Sequence, residues 1–240
     1  MESKKNIGEY SKNMITLVYG VKDALKKRKE LTINSFNSIK RLKDVEVIVS
    51  DYGSTDNIKE VCKEYGFKYI YTEPDGEFCI AKCYNHGIYK AQGDIIIPVG
   101  CDMILDEDVN KGVSFYHEKR DNDFIGLIPL FHWEEKIKRL FPMRSVWRWV
   151  PTYKKISAIS CGGYDERFVG WGHEDIDFIE RLKEKLKIGP LLLPDVLCIH
   201  QWHGKEHSDK VELQEGGNPN MRLFDENRET NSKNMVNSYW

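Results

Sequence analysis

The sequence predicts an α/β fold with a Rossmann-like, mostly parallel central sheet flanked by helices. In the first hundred residues, short apolar runs of strand length alternate with segments whose apolar residues recur at helical spacing. This alternation favours parallel strands joined by right-handed crossovers. Several glycines and aspartates, with one tyrosine, lie close to the positions where the predicted strands end. Parallel sheets bind ligands at those carboxyl ends, so we expect the functional site there.

Residues 14–99 are predicted to form four strands separated by three helices. Strands are expected at residues 14–19, 45–49, 67–71 and 94–99. The helices are indicated by three apolar stripes, namely Leu31, Ser35, Ile39 and Leu42; Ile58, Val61, Cys62 and Tyr65; and Ala81, Tyr84, Ile88 and Ala91.

After residue 110 the periodicity weakens. Residues 124–130 predict a strand, and the basic, aromatic stretch 131–153 is equally consistent with core packing and with a binding wall. A glycine-punctuated loop, residues 162–171, enters a helix with a stripe at Ile176, Ile179, Leu182 and Leu186. Residues 191–200 predict a last strand that Pro194 makes an edge or broken strand. From residue 208 the chain is polar, and we expect a partly ordered tail.

Composition narrows the function classes. The chain has 240 residues, with 36 Lys+Arg against 38 Asp+Glu and a formal net charge of −2. It therefore lacks the basic field that nucleic-acid binding requires. The longest apolar run ends at Pro194, far short of the roughly 20 residues of a membrane span. With neither a span nor a secretory N-terminus, a cytoplasmic location is expected.

Two local patterns carry chemistry. In the loop GGYDERFVGWGHED, glycines deliver Glu174 and Asp175 into the first turn of a helix. Carboxylates there either complement the helix dipole or act as a general base. In HQWHGKEH, the histidines His200, His203 and His207 have spacings that can converge on a metal ion.

Together these segments resemble family 2 glycosyltransferases of the GT-A (nucleotide-diphospho-sugar transferase) fold. Residues 47–56, VIVSDYGSTD, are similar to the family stretch D-D-G-S-x-D, and residues 81–94 to its A-x-x-x-N-x-G-I … A-x-G-D helix. The segment GCDM occupies the place of the D-x-D motif. Residues 162–177 resemble the G-G-F-D-E … G-W-G-G-E-D-D-D segment of β-1,4-galactosyltransferases. The likeness runs over residues 14–205 in the family's order.

The resemblance implies a single GT-A domain over residues 1–240. Residues 14–110 would form the nucleotide-sugar half, residues 111–205 the acceptor and catalytic half, and residues 206–240 the polar tail. Asp51 would contact the base or ribose, and Arg28 would approach the nucleotide.

The remaining roles also come from the resemblance. The nucleotide contacts would include Tyr19, Asn85 and Asp102. Asp102 would bind Mn²⁺ (or Mg²⁺), with His203 as second ligand and His200 as a third. On the acceptor side, the resemblance implies Asp175 as catalytic base, Glu174 as the residue that holds the acceptor sugar, and Trp171 as part of the sugar wall.

Two positions depart from the family pattern. Tyr52 replaces a second aspartate, which weakens the inference of uracil as the base, and Gly100 replaces the first aspartate of D-x-D. The predicted function is an inverting, metal-dependent hexosyltransferase. It would use a UDP-linked, galactose-type nucleotide sugar as donor and a glycan or lipid-linked glycan as acceptor. The alternatives are a zinc hydrolase built on His200, His203 and His207, and an inactive nucleotide-sugar-binding relative.

Overall fold

The computed structural model describes residues 14–120, 123–134, 139–142, 149–170, 172–187, 189–203 and 218–237. The strands are β1 (Ile15–Val21), β2 (Val45–Asp51), β3 (Lys68–Tyr71), β4 (Ile95–Val99), β5 (Met103–Leu105), β6 (Ile125–Glu134), β7 (Arg139–Pro142), β8 (Trp149–Lys154), β9 (Pro190–Leu192) and β10 (Cys198–Gln201). The helices are α1 (Ala24–Lys27), α2 (Lys29–Lys40), α3 (Ile58–Tyr65), α4 (Ile80–Lys90), α5 (Val109–Glu118), α6 (Lys155–Ser160), α7 (Glu174–Leu186) and α8 (Pro219–Asn237).

The strands form one central sheet in the order β3-β2-β1-β4-β8-β6-β10-β5, with β7 and β9 also pairing with β6. The first four strands of this order are parallel. Beyond β4 the sheet becomes mixed, because β8 runs antiparallel to both β4 and β6. The predicted α/β class and central sheet are confirmed, with the parallel order concentrated in the first half of the chain.

Successive residues of the central strands point to opposite faces of the sheet, and each face has its own core. Leu17 belongs to the cluster with Phe36 of α2, whereas Val18 belongs to the cluster with Tyr84 of α4 and Phe178 of α7. Helix α4 lies so close to β1 that a Cβ on Gly87 would stand 2.2 Å from Cγ1 of Val18. The predicted stripes on α2, α3 and α4 lie on the faces that the sheet covers, where all of their residues except the half-buried Leu31 and Tyr65 are buried.

The structure changes several expectations for the second half, where β7 and most of β8 also form in the stretch 131–153. The predicted strand 124–130 continues to residue 134 because β7 pairs with its end. The predicted strand 191–200 is two strands, β9 and β10, with Pro194 between them, since proline cannot donate a ladder hydrogen bond. The polar tail contains a helix, α8, at residues 219–237. Within the described part of the chain, no helix has the length and apolar character needed to cross a membrane.

Candidate metal centre and its surroundings

Asp102, His200 and His203 converge at one edge of the sheet. Asp102 lies in the turn between β4 and β5, and β10 pairs with β5 so that His200 stands opposite Met103. Oδ2 of Asp102 is 3.1 Å from Nε2 of His203 and 3.8 Å from Nε2 of His200. One ligand atom from each residue lies within 4.8 Å of the other two. The structure therefore brings together the three residues that the sequence predicted as metal ligands. His207 lies outside the described residues.

The chemistry of this trio fits a divalent cation. Burial lowers the pKa of His200 to about 4, so its imidazole is neutral and can donate a lone pair. Burial by itself raises the pKa of Asp102, but the hydrogen bond with His203 and the charges of His200, Arg28 and His203 together outweigh burial and keep that pKa below its ordinary value. The Nδ1 atoms of His200 and His203 are buried without a hydrogen-bond partner among the described residues. A carboxylate and two imidazoles form a mixed oxygen and nitrogen site.

Arg28 also points into this centre. It lies between α1 and α2, and its Nη1 donates to Oδ2 of Asp102 at 2.6 Å. The guanidinium therefore shares the carboxylate oxygen that faces both histidines. Arg28 was expected near a nucleotide, and the structure places it beside the three candidate metal ligands.

Gly100 is tied to the position of Asp102. A Cβ at residue 100 would lie 2.7 Å from Oδ1 of Asp102, closer than side-chain atoms approach in practice. An aspartate at this position could be accommodated only if the Asp102 carboxylate moved. The glycine at position 100 therefore leaves the space that the Asp102 carboxylate occupies, which the first aspartate of a D-x-D motif would not.

Asp51 ends β2 and is almost completely buried, at 2% exposure. Its Oδ1 accepts a hydrogen bond from the backbone N–H of Ser54 at 2.9 Å, and its Oδ2 accepts one from the Tyr69 hydroxyl at 2.8 Å. These bonds fix the turn that follows the strand. Tyr52, next in the chain, is also buried, and its hydroxyl donates to Asp75 at 2.6 Å.

Tyr19 and Asn85 were expected to contact the nucleotide, but in the structure their side chains contact other residues of the protein. The Tyr19 side chain is fully buried under α2, where its ring packs on Phe36 and its hydroxyl pairs with Ser35 at 2.8 Å. It presents no surface to a ligand, because its position in β1 faces the α2 side of the sheet. Asn85 binds the glycine loop instead. Its Nδ2 donates to the Tyr164 carbonyl at 2.9 Å, and its Oδ1 accepts from the Tyr164 N–H at 2.7 Å.

Glu174 and Asp175 begin helix α7, after backbone that turns sharply. Gly170, Gly172 and His173 all have left-handed φ values, of 74°, 95° and 74°. Burial, reinforced by the charge of Asp175, raises the pKa of Glu174 to about 8. Burial also raises the pKa of Asp175, whose Oδ1 accepts from the Ile176 N–H at 2.8 Å. A carboxylate with a raised pKa is a stronger base than one in water. Trp171 lies outside the described residues.

Tyr84 packs against Tyr164 of the glycine loop, within electrostatic range of Asp102, Glu174 and Asp175. It lies on α4, and its ring is 5.2 Å from that of Tyr164, which stacks at 4.1 Å on Phe178 of α7. Beyond burial, the charges of Glu174, Asp102 and Asp175 raise the pKa of Tyr84 well above its ordinary value. Groups from both ends of the site therefore act on one buried ring. The sequence indicated Tyr84 only as part of a helix stripe, and its position directly before Asn85 in the motif was the available signal.

Replacing Glu174 by glutamine is expected to weaken the pH dependence of stability. Because folding raises the pKa of Glu174, the folded state holds a proton that the unfolded state has released, and stability falls between about pH 4.3 and pH 8. Glu174→Gln removes this loss. Urea unfolding at pH 5 and pH 8 should show a smaller difference in unfolding free energy than in the wild type. Glu184→Gln, an exposed change on the same helix, is the control. If the difference in unfolding free energy between pH 5 and pH 8 were the same in Glu174→Gln as in the wild type, the raised pKa would not belong to Glu174.

The fold and the site together define the class. A parallel half-sheet continued by antiparallel strands, with a potential metal centre just beyond the end of β4, is the architecture of a GT-A domain. Residues 24–168 match the family model described as "Glycosyl transferase family 2". The chain therefore belongs to glycosyltransferase family 2.

Relatives in sequence and structure agree with this family. Validoxylamine A glucosyltransferase from Streptomyces hygroscopicus subsp. jinggangensis (strain 5008) is 26% identical over 188 residues, which cover 59% of this chain and 44% of that protein. The chain thus spans less than half of that curated relative.

Two solved structures show the same fold. S. aureus TarS 1–349 in complex with UDP-GlcNAc superposes with a TM-score of 0.67 at 15% identity, covering 81% of this chain and 60% of that one. The mannosyltransferase PcManGT from Pyrobaculum calidifontis, in complex with GDP-Man and Mn²⁺, gives 0.63 at 12% identity, covering 84% and 60%. The chain spans about three fifths of each of these proteins.

Proposed function

We propose that the chain is an inverting, metal-dependent glycosyltransferase that moves a hexose from a nucleotide-diphosphate sugar to a hydroxyl of a glycan or lipid-linked glycan, in the cytoplasm. The observation that carries the proposal is the convergence of Asp102, His200 and His203 at the end of the parallel half-sheet, in a family 2 chain. The neighbours that bind UDP-GlcNAc, and GDP-Man with Mn²⁺, support a nucleotide-sugar donor.

Asp102, His203 and His200 would hold the cation. Their oxygen and nitrogen atoms suit Mn²⁺ better than Mg²⁺, which prefers an all-oxygen octahedron. The bound ion would supply Lewis-acid stabilisation of the charge that develops on the leaving diphosphate. Arg28, whose Nη1 already reaches the Asp102 carboxylate, would add a second positive charge beside the diphosphate.

The donor is proposed as a UDP-linked, galactose-type hexose. Galactose is favoured by the resemblance of residues 162–177 to galactosyltransferases. The inference of uracil as the base is weaker at Tyr52, where the family has an aspartate. The Tyr52 hydroxyl donates to Asp75, and this position offers no carboxylate to a nucleobase. The resemblance assigns the base or ribose contact to Asp51, but its carboxylate is buried and both oxygens are bonded within the protein, so such a contact would require these bonds to open. Asn85 would act by holding the glycine loop.

Asp175 is proposed to take the proton from the acceptor hydroxyl as that oxygen attacks the anomeric carbon. In a single displacement the new bond to the acceptor forms as the bond to the diphosphate breaks, and the configuration at that carbon inverts. The raised pKa of Asp175 suits a general base, because proton transfer is most efficient when the pKa lies nearer the working pH. Glu174 would hold the acceptor sugar, with Trp171 as part of the wall.

A thermal-shift panel tests this function. UDP, GDP, ADP, CDP and dTDP would each be added with and without Mn²⁺, because a ligand that binds only the folded state raises the melting temperature. We expect a shift with UDP that requires Mn²⁺, followed by transfer from a UDP-hexose. Tight zinc in the purified chain and no nucleotide shift would support the hydrolase alternative. A nucleotide shift without turnover of any UDP-hexose would indicate an inactive relative.

Arg28→Gln is expected to separate metal binding from nucleotide binding. Without the guanidinium, the Asp102 carboxylate loses a competing cation, and a hydrogen bond to a charged group contributes roughly 1.5–3 kcal/mol. The variant should bind Mn²⁺ alone about tenfold more tightly and bind UDP with Mn²⁺ about tenfold more weakly. Electron paramagnetic resonance of free Mn²⁺ and calorimetry with UDP measure the two affinities. Arg41→Gln, an exposed change just after α2, should alter neither. Unchanged Mn²⁺ affinity in Arg28→Gln would refute the idea that the Arg28 guanidinium competes with Mn²⁺ for the Asp102 carboxylate.

A further inference from the structure

We propose that helix α8, through the positioning residues Asn220 and Asn227, holds in place the segment that leads into and begins α7, residues 162–177, here named the catalytic loop. The inference rests on the proposed function, in which Glu174 and Asp175 handle the acceptor. Nothing in the sequence pattern links the polar tail to the active site. In the structure, however, α8 packs against α7, the helix that these two carboxylates begin.

Asn220 bridges the loop just before α7. It is 4% exposed, and its Nδ2 donates to the carbonyl of Val169 at 3.0 Å and to the carbonyl of Gly172 at 2.9 Å. These two carbonyls lie on either side of residues 170 and 171 in the chain. Left-handed backbone at Gly170 and Gly172 takes the loop out of regular structure, so its carbonyls need partners from elsewhere. One buried amide therefore fixes both ends of this turn.

Asn227 makes a second set of contacts two turns further along α8. Its Nδ2 donates to Oδ1 of Asp177 at 2.7 Å and to Oδ2 of Asp165 at 3.2 Å, and its Oδ1 accepts from Arg167 at 2.7 Å. Asp177 lies in the first turn of α7 and is also paired with Arg181 at 2.8 Å. Asn227 thus ties the start of α7 to the loop that leads into it.

The residue spacing places these contacts on one side of α8. Asn220, Phe224 and Asn227 are four and three residues apart, which aligns them on one helix face. The Phe224 ring lies 5.7 Å from that of His173, the residue directly before Glu174. The face therefore meets the catalytic loop at three successive points, before, at and after the start of α7.

Such positioning matters for the reaction, because a displacement of about 1 Å at a catalytic group can reduce the rate about 100-fold. The metal centre is built from the β4–β5 turn and β10, whereas the hydrogen bonds described above join Asn220 and Asn227 to residues 165–177. Loss of the α8 contacts should therefore impair turnover while leaving metal and nucleotide binding intact.

The test is Asn220→Ala in the full chain, with Arg222→Ala, an exposed change on the same helix, as control. We expect kcat for a UDP-hexose to fall about 10- to 100-fold, with the KM for that donor and the Mn²⁺-dependent affinity for UDP within about twofold of wild type. Amide hydrogen exchange should accelerate in peptides covering residues 169–177 and stay unchanged in peptides covering residues 99–105 and 198–203.

Several outcomes would overturn the inference. Unchanged exchange over residues 169–177, or unchanged kcat, would remove Asn220 from the positioning role. Loss of UDP affinity in proportion to kcat would show a general structural defect. If the wild type bound neither UDP nor Mn²⁺, the proposed function would fail first, and the exchange pattern would still decide whether Asn220 orders the loop. Asn227→Ala, which leaves the Asn220 bonds in place, should produce the same pattern with a smaller loss of kcat.

Discussion

Replacing Asp175 by asparagine is expected to reduce turnover by about two to four orders of magnitude, because asparagine cannot accept the acceptor proton. The substitution keeps the size of the side chain, and the amide oxygen can still accept the hydrogen bond that Oδ1 receives from the Ile176 N–H. Release of UDP, measured with whichever UDP-hexose the wild type uses, gives the rate. Calorimetry with UDP and Mn²⁺ should give a wild-type affinity.

Asp108→Asn provides the matched control, since Asp108 is exposed just before α5 and pairs with Lys111. It should leave the rate unchanged. If Asp175→Asn kept wild-type turnover, Asp175 would be excluded as the base, and Glu174 would become the next carboxylate to test. If the variant instead lost UDP affinity and turnover together, Asp175 would act in binding.

Replacing Asp102 by alanine is expected to abolish the effect of Mn²⁺ on nucleotide binding. Asp102 is the carboxylate among the three proposed ligands, and its Oδ2 faces both histidines and Arg28. Changing residues that only support a metal ligand already costs 10- to 100-fold in affinity, so loss of the ligand itself should cost at least about 100-fold. Mn²⁺ titration in the presence of UDP, followed by electron paramagnetic resonance, measures this.

Asp108→Ala is the control for charge removal, and its Mn²⁺ titration should match the wild type. Asp102→Ala also leaves Arg28 without its carboxylate, so some loss of stability is expected alongside the loss of metal. A normal Mn²⁺ titration in Asp102→Ala would contradict the metal centre. A variant that lost Mn²⁺ binding but kept Mn²⁺-independent UDP affinity would confine the role of Asp102 to the cation.

The sequence was sufficient to predict the framework of the site. Apolar alternation predicted the parallel half-sheet, because strand and helix periods differ and each is repeated over several elements. Parallel strands end at one edge, so Asp51 and Asp102, which follow different strands, were expected at the same edge. The convergence of Asp102 with His200 and His203 was implied by the resemblance, and the pairing of β10 with β5 produces it.

Other residues received roles only from tertiary packing. The Tyr19 side chain lies in the core because α2 covers its face of β1. The Asn85 side chain is hydrogen-bonded to the backbone of Tyr164 in the glycine loop. Neither outcome follows from local spacing. The polar tail gave no sign of a docked helix, because the contacts of Asn220 and Asn227 are made by polar amide groups and leave no apolar stripe in the sequence.

The sequence by itself therefore determined the parallel half of the sheet, the family and the residues that can supply a metal site. Periodicity reports which face of an element is apolar, and motif spacing reports which groups follow a strand. The tertiary structure alone decided which polar groups meet across distant segments. Arg28 on Asp102, Tyr84 near the α7 carboxylates and Asn220 on the catalytic loop all depend on how separate elements pack, and the local sequence does not encode hydrogen-bond partners so far apart in the chain.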